Sequence, residues 1–232
     1  MPEMSLARRL SNSLKASAGT VVFGMEDGTV SIFGLVLGVA ATTTHSLEVL
    51  VAGASGAAAA AVSMMAGAYL EAETSRDERA ASQERLAAEL AGSGSSAALL
   101  TERLSAAGLK APLCGALSRA VQHNTDAMKA LLLALEGAPA GTRAPLQPAL
   151  WMLGADFFSA AVPIVPFMLL PIATARVVAS VITVALLVLL GVGRARIGNR
   201  GIARTVLETV GMGIAAALAG VAIGLAIQRG FA

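Results

Sequence analysis

Five stretches of this chain contain no Asp, Glu, Lys or Arg, and this pattern limits the fold more than any other feature. They cover residues 28–47, 49–70, 157–175, 177–193 and 209–228, so each is 17 to 22 residues long. About 20 apolar residues in a helix span the hydrocarbon core of a bilayer, so each stretch is long enough for one crossing. The runs are continuously apolar and do not alternate, which favours helices over barrel strands.

The composition agrees with a membrane location. Hydrophobic residues make up 56% of the chain and charged residues 14%, and the mean hydropathy is +0.72. Soluble domains carry about a quarter of their residues as charges. These values exclude disorder and most soluble enzymes, and a single cysteine, Cys114, excludes a disulfide scaffold. We therefore predict an all-α integral membrane protein with five transmembrane helices.

The segment between the second and third apolar runs has a different character. Residues 71–143 hold nine acids and eight bases, so they must lie outside the bilayer. Strong helix formers in 71–90 extend the second span, a Gly/Ser run at 92–95 breaks it, and two further helical regions follow at 96–108 and 112–137. We predict a cytosolic amphipathic lead-in at 1–20, spans one and two within 21–70, a three-helix cytosolic insertion within 71–146, and spans three to five within 147–232.

The basic residues predict the orientation of the spans. Fifteen of the seventeen Lys and Arg residues fall on one side, and only Arg176 and Arg229 fall on the other. The positive-inside rule therefore places the N-terminus, the long loop and the loop between spans four and five in the cytosol, with the C-terminus outside or in a lumen. This bias explains the pI near 9.1, so we infer no nucleic acid partner. The Ala-rich, Arg-over-Lys composition favours a bacterial plasma membrane, with a vacuolar-type membrane as the alternative.

Three acidic residues lie within or beside the spans. Glu26 and Asp27 precede Gly28 at the start of span one, and Asp156 interrupts span three. A charge near the bilayer centre costs at least about 2.5–3.5 kcal/mol, so such residues usually face a pathway or a partner. Asp156 has a simpler alternative, which is snorkelling to the cytosolic end of its helix. A fourth acid, Glu208, is placed to pair with Arg204 at the interface.

Span two contributes Met64, whose thioether is a soft ligand for transition metals but equally a common packing residue. A carboxylate on one helix and a thioether on the next would form a transient site for a divalent metal. Pro163 and Pro166 are expected to break span three. Glycines four residues apart predict close helix packing; they are the pairs Gly24/Gly28, Gly34/Gly38 and Gly220/Gly224.

Three acids share one face of the helix that follows span two: Glu73, Asp77 and Glu84. Carboxylates grouped in this way can bind a hard or borderline cation. The alternative is an ordinary solvated face, because Arg76, Arg79 and Arg85 are interleaved with these acids. The sequence leaves both interpretations open.

Several motifs together resemble the vacuolar iron transporter family. They are DGTVS at 27–31 followed by GLVLGV at 34–39, AVSM at 61–64 with GAYL at 67–70, VPIVPF at 162–167, and a basic loop that leads into Leu207, Glu208 and Thr209. The order of elements also agrees with the family: two spans, a helical cytosolic domain and three spans. The resemblance covers residues 20–228.

The resemblance implies a homodimeric exchanger that moves ferrous iron, and often manganese, out of the cytosol against protons. Metal ions would then be transported substrates, with no permanently bound cofactor. It implies a pathway through Asp27 and Met64, which Glu26 or Asp156 would assist, and a cytosolic metal-collecting site to which Glu89 and Met128 correspond. The chain departs from the family pattern where glutamates are expected, at Gly56, Leu86 and Leu132.

A second hypothesis is a membrane-anchored metal-binding or regulatory protein without transport. Acids and prolines inside the spans argue against a passive anchor. Neither an HExxH nor a GxSxG motif occurs, so we do not expect an enzyme.

Overall fold

A computed structural model describes residues 17–92, 96–135 and 146–231. This part of the chain is helical and contains no β-strand. Its eight helices are α1 (Ala18–Thr42), α2 (Ser46–Gly92), α3 (Ser96–Ala106), α4 (Ala111–Val121), α5 (Thr125–Leu135), α6 (Leu146–Leu169), α7 (Ile172–Ile197) and α8 (Ile202–Phe231). Most of the predicted lead-in at 1–20 lies outside the described residues, and Ala18 already belongs to α1.

Five helices are long and apolar enough to cross a membrane, as the charge-free runs predict. They are α1, the first half of α2, α6, α7 and α8. Helices α1 and α6 begin before their charge-free runs and end before those runs do, because Glu26, Asp27 and Asp156 are accommodated inside these two helices. The protein is therefore a multi-pass membrane protein.

The spans form one compact unit, made of Met1–Tyr69 and Pro145–Ala232, in which consecutive crossings run in opposite directions. Positions 24 and 28 of α1 face residues 152 and 156 of α6, so these two helices are parallel. Positions 34 and 38 of α1 likewise face residues 216 and 220 of α8. Helix α7 is antiparallel to α1, since Arg176 near its start contacts Ala40 and Arg194 near its end contacts Glu26.

Helix α1 lies at the centre of this unit and packs against α6, α7 and α8. Its glycines permit the closest approach, because a Cβ added at Gly38 would lie 2.6 Å from the carbonyl oxygen of Gly220. A Cβ added at Gly220 would overlap the carbonyl oxygen of Gly34. The predicted tight packing of these glycine pairs is confirmed within a single chain. Small residues at such crossings let backbones approach and make van der Waals contact, which drives helix association in lipid.

The expectation that prolines break span three is wrong. Pro163 and Pro166 both lie inside α6, which continues to Leu169. Each proline removes one backbone hydrogen bond, but both residues are buried, and neighbouring helices hold the chain in helical form. The break comes later, where Pro171 precedes the first turn of α7.

The second compact unit, Leu70–Ala144, contains the second half of α2 and the short helices α3, α4 and α5. Helix α3 begins at Ser96, as predicted, and ends before Gly108, whose φ of +87° favours glycine. The predicted break at 92–95 falls mostly outside the described residues. The region predicted as one helical segment, 112–137, is two helices in the part described, because the Asn124 side chain accepts a 2.9 Å hydrogen bond from the Ala127 N–H and starts α5 anew.

Replacing Gly220 tests the central crossing. We expect Gly220→Ala to destabilise the protein by about 1–3 kcal/mol, because the new methyl group overlaps the backbone of α1. Thermal unfolding in detergent should show a melting temperature several degrees lower. The matched control is Gly211→Ala on the same helix, where no atom lies within 4 Å of the added Cβ, and its melting temperature should be unchanged or slightly higher. Equal melting temperatures for the two variants would contradict this packing.

Candidate functional site

Asp156 is a buried carboxylate without a partner. Its side chain is 0% exposed, and neither carboxylate oxygen has a hydrogen-bond partner among the described residues. The nearby Ser159 hydroxyl donates to the backbone carbonyl of Asp156 and not to its carboxylate, at 3.0 Å. Buried polar groups are almost always paired, and the exceptions cluster at functional sites. Snorkelling does not describe this residue, because it points into the protein.

Two glycines of α1 make room for side chains of α6. A Cβ added at Gly28 would lie 2.9 Å from Oδ1 of Asp156 and 2.8 Å from Oγ of Ser159. One turn earlier, a Cβ added at Gly24 would lie 2.7 Å from Sδ of Met152. The carboxylate of Asp156 and the thioether of Met152 therefore both occupy the interface between α1 and α6.

Asp27 brings a second carboxylate to this interface. It directly precedes Gly28 on α1 and is half-buried. Gly28 faces the Asp156 carboxylate, so Asp27 places a second acidic side chain one residue from that contact. Two carboxylates held near each other in an apolar bundle are stabilised by a cation between them, or by a proton on one of them.

Methionines form the side of the interface nearest α2. Met64 and Met65 of α2 pack against a small buried cluster that contains Ala68, Ala149 and Met152. The sequence analysis identified Met64 as a candidate ligand but not Met152, which is buried and lies next to Gly24. A signal was present, because Met152 is four residues before Asp156 and so shares its helix face.

Glu26 is directed away from this group. It is also buried, at 6% exposure, but Oε2 accepts a 3.2 Å hydrogen bond from Arg194 and Oε1 accepts a 3.0 Å hydrogen bond from Thr209. The pair links α1 to α7 and α8. Glu208 is likewise paired, with Arg204 at 3.0 Å and Arg200 at 3.6 Å.

The acids predicted as metal ligands in the Leu70–Ala144 unit are not grouped with other ligands. Glu73, Asp77 and Glu84 are exposed along α2, and Glu89 forms a 2.5 Å ion pair with Arg103. Within the residues that the structure describes, no three His, Cys, Asp or Glu side chains converge as a metal site.

Met128 lies in the apolar core of the same unit. It is 4% exposed and packs with Leu86 and Leu132, the two leucines that stand where the family resemblance leads one to expect glutamates. Leucine at both positions makes this part of the unit a hydrophobic core. The candidate site with the best geometry is therefore the α1–α6 interface.

The fold and the site define a polytopic membrane protein with carboxylates and thioethers in the interior of its helix bundle. A family model described as the VIT family matches residues 18–225. The chain belongs to this family.

Curated relatives agree with that assignment. The chain is 31% identical to "Vacuolar iron transporter 1" of Eucalyptus grandis and 32% identical to the protein of the same name from Arabidopsis thaliana. Each alignment covers 90% of this chain and 85% of the relative. A "Vacuolar iron transporter" of Centaurea cyanus is 30% identical over 70% of this chain and 67% of that protein.

The two buried carboxylates should respond oppositely to neutralisation. We expect Asp156→Asn to raise the stability of the metal-free protein by about 1–3 kcal/mol, because it removes a buried charge that no described group compensates. Glu26→Gln makes the same chemical change where Arg194 and Thr209 compensate the charge, so it should lower stability. The measurement is thermal unfolding with chelator present. Destabilisation of similar size in both variants would show that Asp156 has a partner in the folded protein.

Proposed function

We propose that this protein transports divalent transition-metal ions, ferrous iron or manganese, out of the cytosol across a membrane in exchange for protons. The observation that carries the proposal is the pair Asp27 and Asp156 at the α1–α6 interface. Asp156 is fully buried with no partner for its carboxylate among the described residues, and Asp27 precedes Gly28, the α1 residue that faces it. The printed names of the relatives, which describe iron transporters, give the same class of substrate.

The thioethers support a preference for transition metals. Met64 belongs to the cluster that borders this interface. Sulfur ligands favour later and softer metals, whereas Mg²⁺ and Ca²⁺ prefer sites made of oxygen. In this proposal the carboxylate of Asp27 binds the ion and Met64 contributes to its selection.

Exchange for protons follows from the same carboxylates in this proposal. A carboxylate that binds a proton loses the charge that attracts a metal ion, so metal and protons compete for the site. Metal entering from the cytosolic ends of α1 and α6 would displace protons, and protons returning from the other side would release the metal.

The orientation and assembly belong to the same proposal. Fifteen of the seventeen basic residues fall on the side that we assign to the cytosol, together with the N-terminus. We propose a bacterial plasma membrane on the basis of composition, although the plant relatives are named as vacuolar. The exchanger would act as a homodimer.

Flux in proteoliposomes tests the function. Vesicles with an acidic lumen should take up Fe²⁺ or Mn²⁺ from a neutral medium, and the lumen should become less acidic as protons leave. The double variant Asp27→Ala, Met64→Ala should lose at least about tenfold of the uptake rate, because it removes a proposed carboxylate and a thioether ligand.

The matched control is Glu208→Ala, Met212→Ala, which also removes an acid and a methionine but on α8, where Glu208 pairs with Arg200 and Arg204. This control should keep most of the uptake. Equal uptake by wild type and by the double variant at Asp27 and Met64 would contradict the proposed pathway. Metal binding without any flux in the wild type would instead favour a membrane-anchored metal-binding protein.

A further inference from the structure

Helix α6 carries its own pair of metal-binding atoms. Met152 and Asp156 lie one turn apart on the face that α6 presents to α1. Their side chains are 6% and 0% exposed, and each lies over a glycine of α1 where any larger residue would collide with it.

We propose that Met152 and Asp156 form a thioether–carboxylate ligand pair that binds a divalent transition metal together with Asp27. Met152 and Asp156 place a sulfur donor and a carboxylate at a single helix–helix interface, and Asp27 precedes Gly28, the α1 residue that faces Asp156. This inference rests on the proposed function, because it identifies the ligands that the transported ion meets on α6.

The state of Asp156 is the first argument. A buried carboxylate with no hydrogen bond is costly, and the residue opposite its position is a glycine, which offers neither a donor nor a charge. Asp27 precedes the glycine that faces Asp156, and its charge has the same sign. A bound cation compensates both carboxylates at once.

The position of Met152 is the second argument. Its sulfur lies at the α1 interface beside Gly24, three residues before Asp27 and one turn before Gly28. Because Met152 shares this helix face with Asp156, the sulfur and the carboxylate reach the same interface. Met152 also belongs to the buried cluster against which Met64 and Met65 pack, so further thioethers are close to the site.

The mixture of donors predicts the ions that are bound. Two carboxylates attract any divalent cation, but one thioether adds affinity mainly for softer ions. Mg²⁺ holds its water shell and prefers six oxygen ligands, so it gains little from Met152. Asp156 should therefore raise the affinity for soft and hard ions alike, whereas Met152 should raise the affinity for soft ions and leave that for hard ions unchanged.

Equilibrium binding to the full-length protein in detergent tests this inference. Cd²⁺ and Mn²⁺ serve as the soft and the hard probe, each titrated by calorimetry into chelator-treated protein with excess Mg²⁺ present. We expect Met152→Leu to weaken Cd²⁺ binding at least about tenfold while Mn²⁺ binding changes less than about twofold. Asp156→Asn should weaken both ions at least about tenfold.

The control is Met168→Leu, which changes a methionine of the same helix whose side chain is 66% exposed, and it should bind both ions as wild type does. Loss of Cd²⁺ and Mn²⁺ affinity in equal proportion in Met152→Leu would overturn the ligand role of the sulfur, since a merely structural residue affects both ions alike. Wild-type affinities in Asp156→Asn would overturn the role of the carboxylate.

Flux measured on the same variants separates this inference from the proposed function. If Met152→Leu loses affinity for Cd²⁺ but not for Mn²⁺, as expected, and the wild type shows no flux, the ligand pair stands and the transport proposal fails. The opposite outcome has two parts. The double variant at Asp27 and Met64 loses flux, whereas Met152→Leu and Asp156→Asn bind both ions and transport as wild type does. In that case the transport proposal stands and the ligand pair is wrong.

Discussion

The close approach of α1 to α6 and α8 is the constraint on which the interior of the membrane unit depends. Lipid tails are as apolar as the helices, so association relies on small residues that let backbones make direct contact. Gly28 meets α6, and Gly34 and Gly38 meet α8. With α1 fixed against both neighbours, the rotation of its side chains is fixed as well. Glu26 and Asp27 are successive residues, yet Glu26 pairs with Arg194 and Thr209, whereas Asp27 precedes Gly28, which faces Asp156.

Glu26 and Asp156 are both buried in the bundle, but they differ in how their charge is compensated. Glu26 is paired with an arginine and a threonine, so it ties α1 to α7 and α8. Asp156 has no such partner among the described residues, and the other charged residue associated with it, Asp27, is also an acid. A buried charge without a partner lowers the stability of the unliganded protein, and a bound ligand supplies the missing interaction. The difference identifies Glu26 as a structural link and Asp156 as a candidate ligand, although the sequence shows both simply as acids near a span.

Features that follow from the bilayer or from local chemistry could be predicted from the sequence. The five spans follow from the absence of charge, because the hydrocarbon core excludes it, and α3 starts at Ser96, the residue that the sequence marks as a helix start. Features that depend on how helices rotate against one another could not be predicted from the sequence. The Glu26–Arg194 pair joins residues 168 positions apart, and the contact between Met152 and Gly24 exists only once α1 and α6 are packed. The prediction from Pro163 and Pro166 was wrong because α6 continues through both prolines, which are buried among neighbouring helices.

The central claim is that a metal ion binds between Asp27 and Asp156, at the interface of α1 and α6. Anomalous diffraction from crystals of the protein soaked in Mn²⁺ tests it most directly, because the signal locates the ion without reference to any assay of transport. The account predicts a peak between the two carboxylates, within the reach of the Met152 sulfur. A peak confined to the exposed acids Glu73, Asp77 and Glu84, with none at the α1–α6 interface, would contradict it.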